Sequence, residues 1–357
     1  MPEVRIAEVR RFMVDCLVAA GAPEHAAGAH ADLLLHADVT GHFSHGLNRL
    51  EFYIRDIKSG ATDATATPVI LKEAAATAWV DGRDALGATV ANFCMDLAIR
   101  KARHAGVGWV TAKRCCHFGM AGYWALKAER EGLIGLAFTN SSPIMVPTRS
   151  RERALGTNPI GMAAPAAPGD SLVVDMATTA VAMGKIEVQI HKGEDIPEGW
   201  ALGPDGKVTT DAQVAFDTGC LLPLGGSEQT CGYKGYGLSA MVEVFTTALS
   251  GAKPTHEGRS WDLADKAAPA DLGQCFVAID PGLYAPGCAQ RVAACLAHWR
   301  GLQPVDPALP VLVPGDKERM SAEETRRRGT VSYAQAQVDK CNRVAESLGV
   351  PCLHVES

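Results

Sequence analysis

The sequence predicts an α/β sandwich built on a substantial sheet, together with a helical domain formed by both chain ends. Three observations support this fold class. Strand-like and helix-like segments alternate through the middle of the chain, whereas both ends have only helix-like patterns. The chain has 357 residues, of which 47% are apolar and 21% are charged. This length allows one large domain or two moderate ones with a sizeable core.

The first sixty residues predict helices. Apolar residues recur at helical spacing from Arg5 to Ala20, and a similar pattern continues after a break at Gly21. The next predicted helix ends at Gly60 and places five apolar side chains on one side: Leu47, Leu50, Tyr53, Ile54 and Ile57.

The alternation of strand-like and helix-like segments begins near residue 77. The predicted strands are TAWVDG (77–82), VGWVTAK (107–113) and LIGLAFT (133–139), and the helices between them are LGATVANFCMDLAIRKARHAG (86–106) and MAGYWALKAEREG (120–132). From 140 to 235 the chain is rich in Gly, Pro and Thr, with short apolar strands joined by long polar connections. Loops of this length inside a compact domain are usually functional.

The rest of the chain predicts further helices and one strand. Their positions are a helix over 235–251, a strand over 274–280, a helix over 288–299 and terminal helices over about 321–328 and 333–348. We therefore expect residues 1–75 and 305–357 to form one helical domain, with an α/β domain over 76–304 inserted between them.

Composition excludes several function classes. The formal net charge is -6, which argues against a nucleic-acid-binding surface. The longest apolar runs are far shorter than the roughly 20 residues of a membrane-spanning helix, and no signal peptide is recognisable. The eleven cysteines are scattered and odd in number, which predicts free thiols and a cytoplasmic protein.

The segment GHFSHGLNRL (41–50) is a candidate catalytic segment. A helix beginning near Ser44 or Gly46 would place His45 and Arg49 on one face, with Ser44 as the N-cap. The helix N-terminus and the arginine both favour a neutral imidazole, which can accept a proton from an alcohol, while Arg49 can bind a carboxylate at two points. The simpler alternative is a helix cap beside a surface arginine.

Two further interpretations involve histidines. His36, His42 and His45 could cluster around a metal ion, although no carboxylate or cysteine completes the set at regular spacing. His117 follows a predicted strand, where ligands collect in α/β sheets, and is a second acid–base candidate. A lone histidine at such a position is more often structural.

The glycine-rich segments between 138 and 238 supply backbone amides, small hydroxyl groups and the cations Lys185 and Lys234. A glycine-rich loop leading into a helix can bind phosphate. The G-x-G-x-x-G and Walker motifs are both missing. A dinucleotide, if bound, is therefore not held by an ordinary Rossmann fingerprint.

Several long motifs occur in one order along the chain. They are SHGLNRL, HFGMAGYWA, FTNSSPIMVPT, LGTNPIGMAAP, DMATTAVAMGKIE, KGEDIPEGWALGPDGKVTTD and GYKGYGLSAMVEV. With them, the chain from about residue 3 to 350 resembles the type-2 malate/L-lactate dehydrogenase family, which includes sulfolactate and ureidoglycolate dehydrogenases and cyclic-imine reductases. The resemblance implies a non-Rossmann, three-layer, mixed-sheet domain that binds NAD or NADP, usually in a homodimer.

The resemblance also implies roles for individual residues. His45 matches the acid–base residue, with Ser44 beside it and Arg49 on the substrate carboxylate, and His117 matches a histidine given the proton-transfer role in some members. The positions that match cofactor contacts are Asn140, Met176, Ala177, Thr178, Thr179, Lys185, Lys234, Gly315, Asp316 and Lys317. Many members have P-T-G-G where this chain has Pro-Thr-Arg-Ser at 147–150, a bulkier and more basic loop.

The expected activity is interconversion of a small 2-hydroxy acid and a 2-oxo acid with NAD or NADP. The segment GKIEVQIHKGEDIPEGWA (184–201) is most similar to the malate-like branch, so malate/oxaloacetate is the first expectation. Lactate, sulfolactate or a cyclic imine are the alternatives within the family. A hydrolase with a metal on the three clustered histidines is the remote alternative.

Overall fold

The computed structural model describes residues 1–259 and 268–356. Its strands are β1 Glu3–Arg5, β2 Val69–Glu73, β3 Thr77–Asp81, β4 Val107–Cys115, β5 Ile134–Thr139, β6 Ile160–Pro165, β7 Ser171–Met176, β8 Ala201–Leu202, β9 Val208–Thr209, β10 Leu272–Ile279 and β11 Thr330–Ser332. Its α-helices are α1 Ile6–Ala19, α2 Glu24–Val39, α3 Leu50–Lys58, α4 Gly87–Ala105, α5 Ala121–Glu129, α6 Met183–Lys192, α7 Ala212–Thr218, α8 Tyr233–Glu243, α9 Cys288–Arg300, α10 Asp316–Arg328 and α11 Gln335–Leu348.

A seven-stranded mixed sheet forms the centre of the fold, with strand order β2-β3-β4-β10-β5-β6-β7. Only β3 and β4 are parallel neighbours, and the other pairs are antiparallel. Strand β10 lies in the middle and is buried on both faces because its side chains alternate. Phe276 and Ala278 pack with α4 and α5, and Cys275 and Val277 pack on the opposite face with Val242 of α8. The predicted three-layer α/β fold is therefore confirmed.

The two chain ends share a second hydrophobic core. Apolar side chains of α1, α2 and α3 pack with those of α11 and with Val331 and Leu353. Strand β1 also pairs with β11. The division into domains at residues 75 and 305 stays a prediction, and β2, which falls before the first boundary, belongs to the central sheet.

Helix α10 begins earlier than the sequence indicates, at Asp316 and not near residue 321. Gly315 precedes it with φ +98°, a conformation that glycine adopts without strain. The Asp316 carboxylate accepts a hydrogen bond from the Val313 backbone N–H at 2.9 Å. The segment that the sequence presents as a turn, at 314–318, thus forms the start of this helix.

Within the described residues, no helix combines the length and the apolarity that crossing a bilayer requires.

Candidate active site

A cavity of about 270 Å³ brings together the four predicted catalytic residues. The turn before α3 contributes Ser44, His45 and Arg49, and the loop after β4 contributes His117. The rings of His45 and His117 lie nearly parallel, with centroids 6.1 Å apart. Residues far apart in sequence therefore present two imidazoles and a guanidinium to one small space.

The turn that carries His45 differs from the prediction. It consists of two short 3-10 segments, Phe43–His45 and Leu47–Arg49, and α3 begins only at Leu50. Ser44 is not an N-cap: its Oγ lies 2.9 Å from Nδ1 of His45. Arg49 does share a face with this pair, because its Nε donates to the Ser44 carbonyl at 2.7 Å.

A buried carboxylate fixes this turn to the C-terminal part of the chain. Asp38 accepts hydrogen bonds from the Leu47 backbone N–H at 2.9 Å and from the Tyr333 hydroxyl at 2.7 Å. Burial raises the pKa of Asp38 to about 7, although both hydrogen bonds oppose that shift. Gly46 is needed here because a Cβ at this position would lie 1.8 Å from Oδ1 of Asp38.

The contacts of His117 determine which ring nitrogen carries its proton. Nδ1 accepts a hydrogen bond from the Gly119 backbone N–H at 3.2 Å, and the Tyr53 hydroxyl lies 2.7 Å from the same nitrogen. A backbone N–H can only donate, so Nδ1 is an acceptor and the neutral ring has its hydrogen on Nε2.

Both imidazoles are neutral near pH 7. Burial lowers the pKa of His45 to about 4, and the nearby positive charge of Arg49 adds to the effect. Burial also lowers the pKa of His117, with His45 and Arg49 as further causes. The neutral state of His45 agrees with the prediction, but its main cause is burial and not a helix N-terminus.

The first turn of α6 closes the side of the cavity next to Arg49. A Cβ on Gly184 would lie 2.8 Å from Cβ of Ser44, so only glycine allows this approach. Glu187 follows one turn later, with Oε2 3.8 Å from Nη2 of Arg49. Lys185 lines the same cavity and forms no ion pair with the residues that the structure describes.

A second cavity of about 820 Å³ lies beside the first, and Met120, Asp175 and Met176 line both. Asp175 is half-buried, and its buried Oδ2 has no hydrogen-bond partner among the described residues. Burial raises the pKa of Asp175 to about 6, although a hydrogen bond from the Gly122 backbone opposes that shift. A Cβ on Gly122 would lie 2.7 Å from Oδ2 of Asp175. Because Gly122 has no side chain, space remains where the two cavities meet, and Oδ2 of Asp175 offers a polar contact there. These residues therefore fit a long ligand that spans both cavities.

The residues matched to cofactor contacts fall into two groups. Those that line a cavity are Met176, Ala177, Lys185, Gly315 and Lys317. Those that line neither cavity are Asn140, Thr178, Thr179, Lys234 and Asp316.

The second group has other contacts. The Asn140 side chain bonds to Thr255 and Gly273, and Asp316 pairs with Arg300 and Arg319. The Thr178 and Thr179 hydroxyls donate to backbone carbonyls. The side chain of Lys234 is exposed.

The three histidines considered for a metal do not converge. His42 Nε2 lies 3.0 Å from Oε1 of Glu318, His45 bonds to Ser44, and His36 packs edge-on against Tyr123 in the larger cavity. No group of three potential ligands suited to a metal ion occurs in the described part of the chain.

Three residues of the site were not anticipated as such from the sequence. Tyr53 was predicted only as an apolar core residue, and Asp175 and Glu187 were not singled out. An acidic residue at the end of an otherwise apolar strand, as in VVDMA, was the available signal for Asp175. Glu187 had no comparable signal, because its approach to Arg49 depends on the tertiary packing of α6.

Comparisons with known proteins agree with this geometry. Residues 4–342 match the family model described as malate/L-lactate dehydrogenase. The malate dehydrogenase of Pyrococcus abyssi is 37% identical over 98% of this chain and 95% of its own, and the L-sulfolactate dehydrogenase of Methanocaldococcus jannaschii is 36% identical over 96% of each. The solved malate dehydrogenase of Pyrococcus horikoshii superposes with a TM-score of 0.89 at 33% identity, over 98% of this chain and 97% of its own. The chain therefore belongs to the malate/L-lactate dehydrogenase family and is a hydroxy-acid dehydrogenase.

Proposed function

We propose that this enzyme interconverts malate and oxaloacetate with a nicotinamide dinucleotide, in the cavity that contains His45, His117 and Arg49. The observation that carries the proposal is the convergence of two neutral imidazoles and a guanidinium on one space that is continuous with a larger cavity. A 2-oxo acid has one carboxylate and one carbonyl, and these two groups need a cation and a proton-transfer residue, respectively.

Arg49 binds the substrate carboxylate. Its Nε is fixed by the Ser44 carbonyl and its Nη2 faces Glu187, so the orientation of the planar group is set before substrate arrives. The ion pair between Arg49 Nη2 and Glu187 Oε2 is long, at 3.8 Å. The carboxylate of the substrate then supplies the closer partner.

The two histidines share the proton chemistry at the substrate oxygen. When bound, the nicotinamide supplies or accepts the hydride at the adjacent carbon. We assign His45 the tautomer with its hydrogen on Nδ1, which then donates to Oγ of Ser44, 2.9 Å away. Nε2 is left to accept the hydroxyl proton and returns it in the reverse direction. His117, with its hydrogen on Nε2, donates a hydrogen bond that stabilises negative charge on the oxygen.

Malate is favoured over lactate because the cavity has a cation for a second carboxylate. Lys185 lies next to Gly184, which contacts Ser44, and it has no ion-pair partner among the described residues. Malate dehydrogenases of Pyrococcus are 37% identical to this chain, and an L-sulfolactate dehydrogenase is 36% identical. Sulfolactate also has two anionic groups and is the second candidate.

The larger cavity fits the rest of a nicotinamide dinucleotide. Met176 and Asp175 lie at the junction, and Gly315 and Lys317 line the larger cavity at the start of α10. Nothing among the described residues bonds to Oδ2 of Asp175. We propose that this oxygen contacts a polar group of the cofactor between its two ends.

We also propose a cytoplasmic homodimer. All eleven cysteines are free thiols, which fits a reducing compartment. Helix α8 and the turn after it expose a row of apolar side chains, Tyr233, Tyr236, Met241, Val244 and Leu249, and such a patch is typical of a subunit interface. Light scattering across a concentration series would measure the mass, and a monomer at every concentration would refute the dimer.

A rate panel tests the activity. Oxaloacetate, pyruvate, sulfopyruvate and a cyclic imine carboxylate are each supplied with NADH and with NADPH, and the decrease of the reduced nicotinamide absorbance is followed. We expect turnover with oxaloacetate to be fastest. Absence of turnover with every pair would refute the proposed function.

A further inference from the structure

The wall of the larger cavity formed by α5 and α10 has more positive than negative side chains. Arg130 caps the end of α5, Lys317 lies in the first turn of α10, and Arg326 lies in its last turn. None of the three forms an ion pair with a residue that the structure describes. Glu323 is the carboxylate on the same wall that has no such partner either.

Two further charged residues of this wall have partners. Arg319 pairs with Asp170 and Asp316, and Glu318 bonds to His42, whose ring is charged only if protonated. With Glu318 counted, three cations and two carboxylates leave a net charge of about +1 facing the cavity. A phosphate monoester carries about -1.5 to -2 at neutral pH, so its charge is opposite in sign to that of this wall.

Arg130 and Arg326 lie at the ends of two helices and line the larger cavity together with His36. Their positive charges both help to lower the pKa of His36 to about 4, after the larger effect of burial. His36 also packs edge-on against Tyr123. Its neutral imidazole adds a hydrogen-bonding group to the same cavity.

This place is far from the reacting groups. Gly122 at the start of α5 contacts Asp175, and Glu318 at the start of α10 bonds to His42, so both helices begin at the junction of the two cavities. At 1.5 Å per residue, Arg130 and Arg326 each lie roughly 12 Å further along their helices. A ligand with its nicotinamide beside His45 would have its opposite, adenosine end here.

We propose that Arg130 and Arg326 bind the 2′-phosphate of the adenosine ribose, so that the enzyme uses NADP(H) in preference to NAD(H). This inference rests on the proposed function for the identity of the ligand. Planar guanidinium groups bind phosphate oxygens at two points, and two of them approaching from different helices select a doubly charged group over a ribose hydroxyl.

Calorimetry with two fragments tests the site without any turnover. Adenosine 2′,5′-bisphosphate and adenosine 5′-monophosphate differ only in the 2′-phosphate. We expect the bisphosphate to bind at least about tenfold more tightly, and Arg130→Met and Arg326→Met each to remove about tenfold of that affinity. Neither substitution should change binding of the monophosphate.

Two further variants sharpen the result. Arg327→Met is the matched control, because Arg327 lies on the same helix, pairs with Glu324 and lines neither cavity. Glu323→Gln should strengthen binding of the bisphosphate. If it weakens the monophosphate instead, Glu323 binds the ribose hydroxyls and the phosphate assignment is wrong.

The outcomes separate this inference from the proposed function. Turnover of 2-oxo acids with equal affinity for the two fragments would overturn the phosphate site and leave the dehydrogenase function intact. A fragment preference that depends on the two arginines would support the phosphate site even if every 2-oxo acid failed as a substrate. Equal weakening of both fragments by the arginine substitutions would also overturn it.

Discussion

Replacing Arg49 by lysine keeps the positive charge and removes the planar group. Lysine has no donor at the position of Nε, so the 2.7 Å hydrogen bond to the Ser44 carbonyl is lost. It also cannot bind a carboxylate at two points. The charge next to Glu187 is retained, so the substitution tests geometry and not electrostatics.

The expected loss follows from the interactions removed. A charge-assisted two-point pair contributes about 1.5–3 kcal/mol, which corresponds to about a 10- to 150-fold decrease in kcat/KM for oxaloacetate. The dissociation constant of the reduced cofactor, measured by nicotinamide fluorescence, should stay within about twofold because Arg49 lines only the smaller cavity.

Arg55→Lys is the matched control. Arg55 lies in α3, which begins directly after Arg49, and it lines neither cavity. Both guanidinium groups lie near the Phe52 ring, at 5.4 Å for Arg49 and 5.0 Å for Arg55. Its kcat/KM should be close to that of the parent enzyme. If Arg49→Lys leaves kcat/KM for oxaloacetate unchanged, or weakens substrate and cofactor together while lowering Tm, the carboxylate-binding role is refuted.

Three further predictions concern the histidines and Lys185. His45→Ala should lower kcat by about 100- to 10,000-fold, with His117→Ala less severe; near-parental kcat in both variants would contradict the acid–base assignment. Lys185→Met should lower kcat/KM for oxaloacetate by about tenfold more than for pyruvate, and an equal effect on both would mean that Lys185 contacts the cofactor. His30 is fully buried without a hydrogen-bond partner among the described residues, and burial lowers its pKa from 6.5 to about 3. As the pH falls, His30 takes up a proton in the unfolded chain before it does so in the folded protein. The free energy of unfolding should therefore fall by about 3 kcal/mol more in the parent than in His30→Leu between about pH 7.5 and 4.5. An equal fall in both proteins, measured by urea unfolding at the two pH values, would refute this.

The elements that could be predicted are those whose own sequence has a clear apolar pattern or a clear end signal. Strands β4, β5 and β10 consist mostly of apolar residues because both of their faces are covered, and α4 ends at Gly106 with φ +85°. The elements that the sequence did not indicate are short or exposed. All five residues of β2 are exposed, and β8 and β9 have two residues each, so tertiary pairing and not local pattern defines them.

The candidate site was predictable to the extent that it is local. Ser44, His45 and Arg49 lie within six positions, and their contacts follow from one turn of the chain. His117 was identified from its position after a strand, but its stacking against His45 and its bond to Tyr53 depend on how α3 packs against the sheet.

The turn that carries His45 and Arg49 depends on contacts from three separate parts of the chain. Asp38 of α2 holds the Leu47 backbone, Tyr333 before α11 holds Asp38, and Gly184 lets α6 approach Ser44. Short 3-10 segments have weaker hydrogen-bond geometry than an α-helix, so the turn needs these external contacts to keep His45 and Arg49 in place. The C-terminal segment thus stabilises the candidate site without lining the cavity, because Tyr333 bonds to Asp38 and Asp38 bonds to the turn.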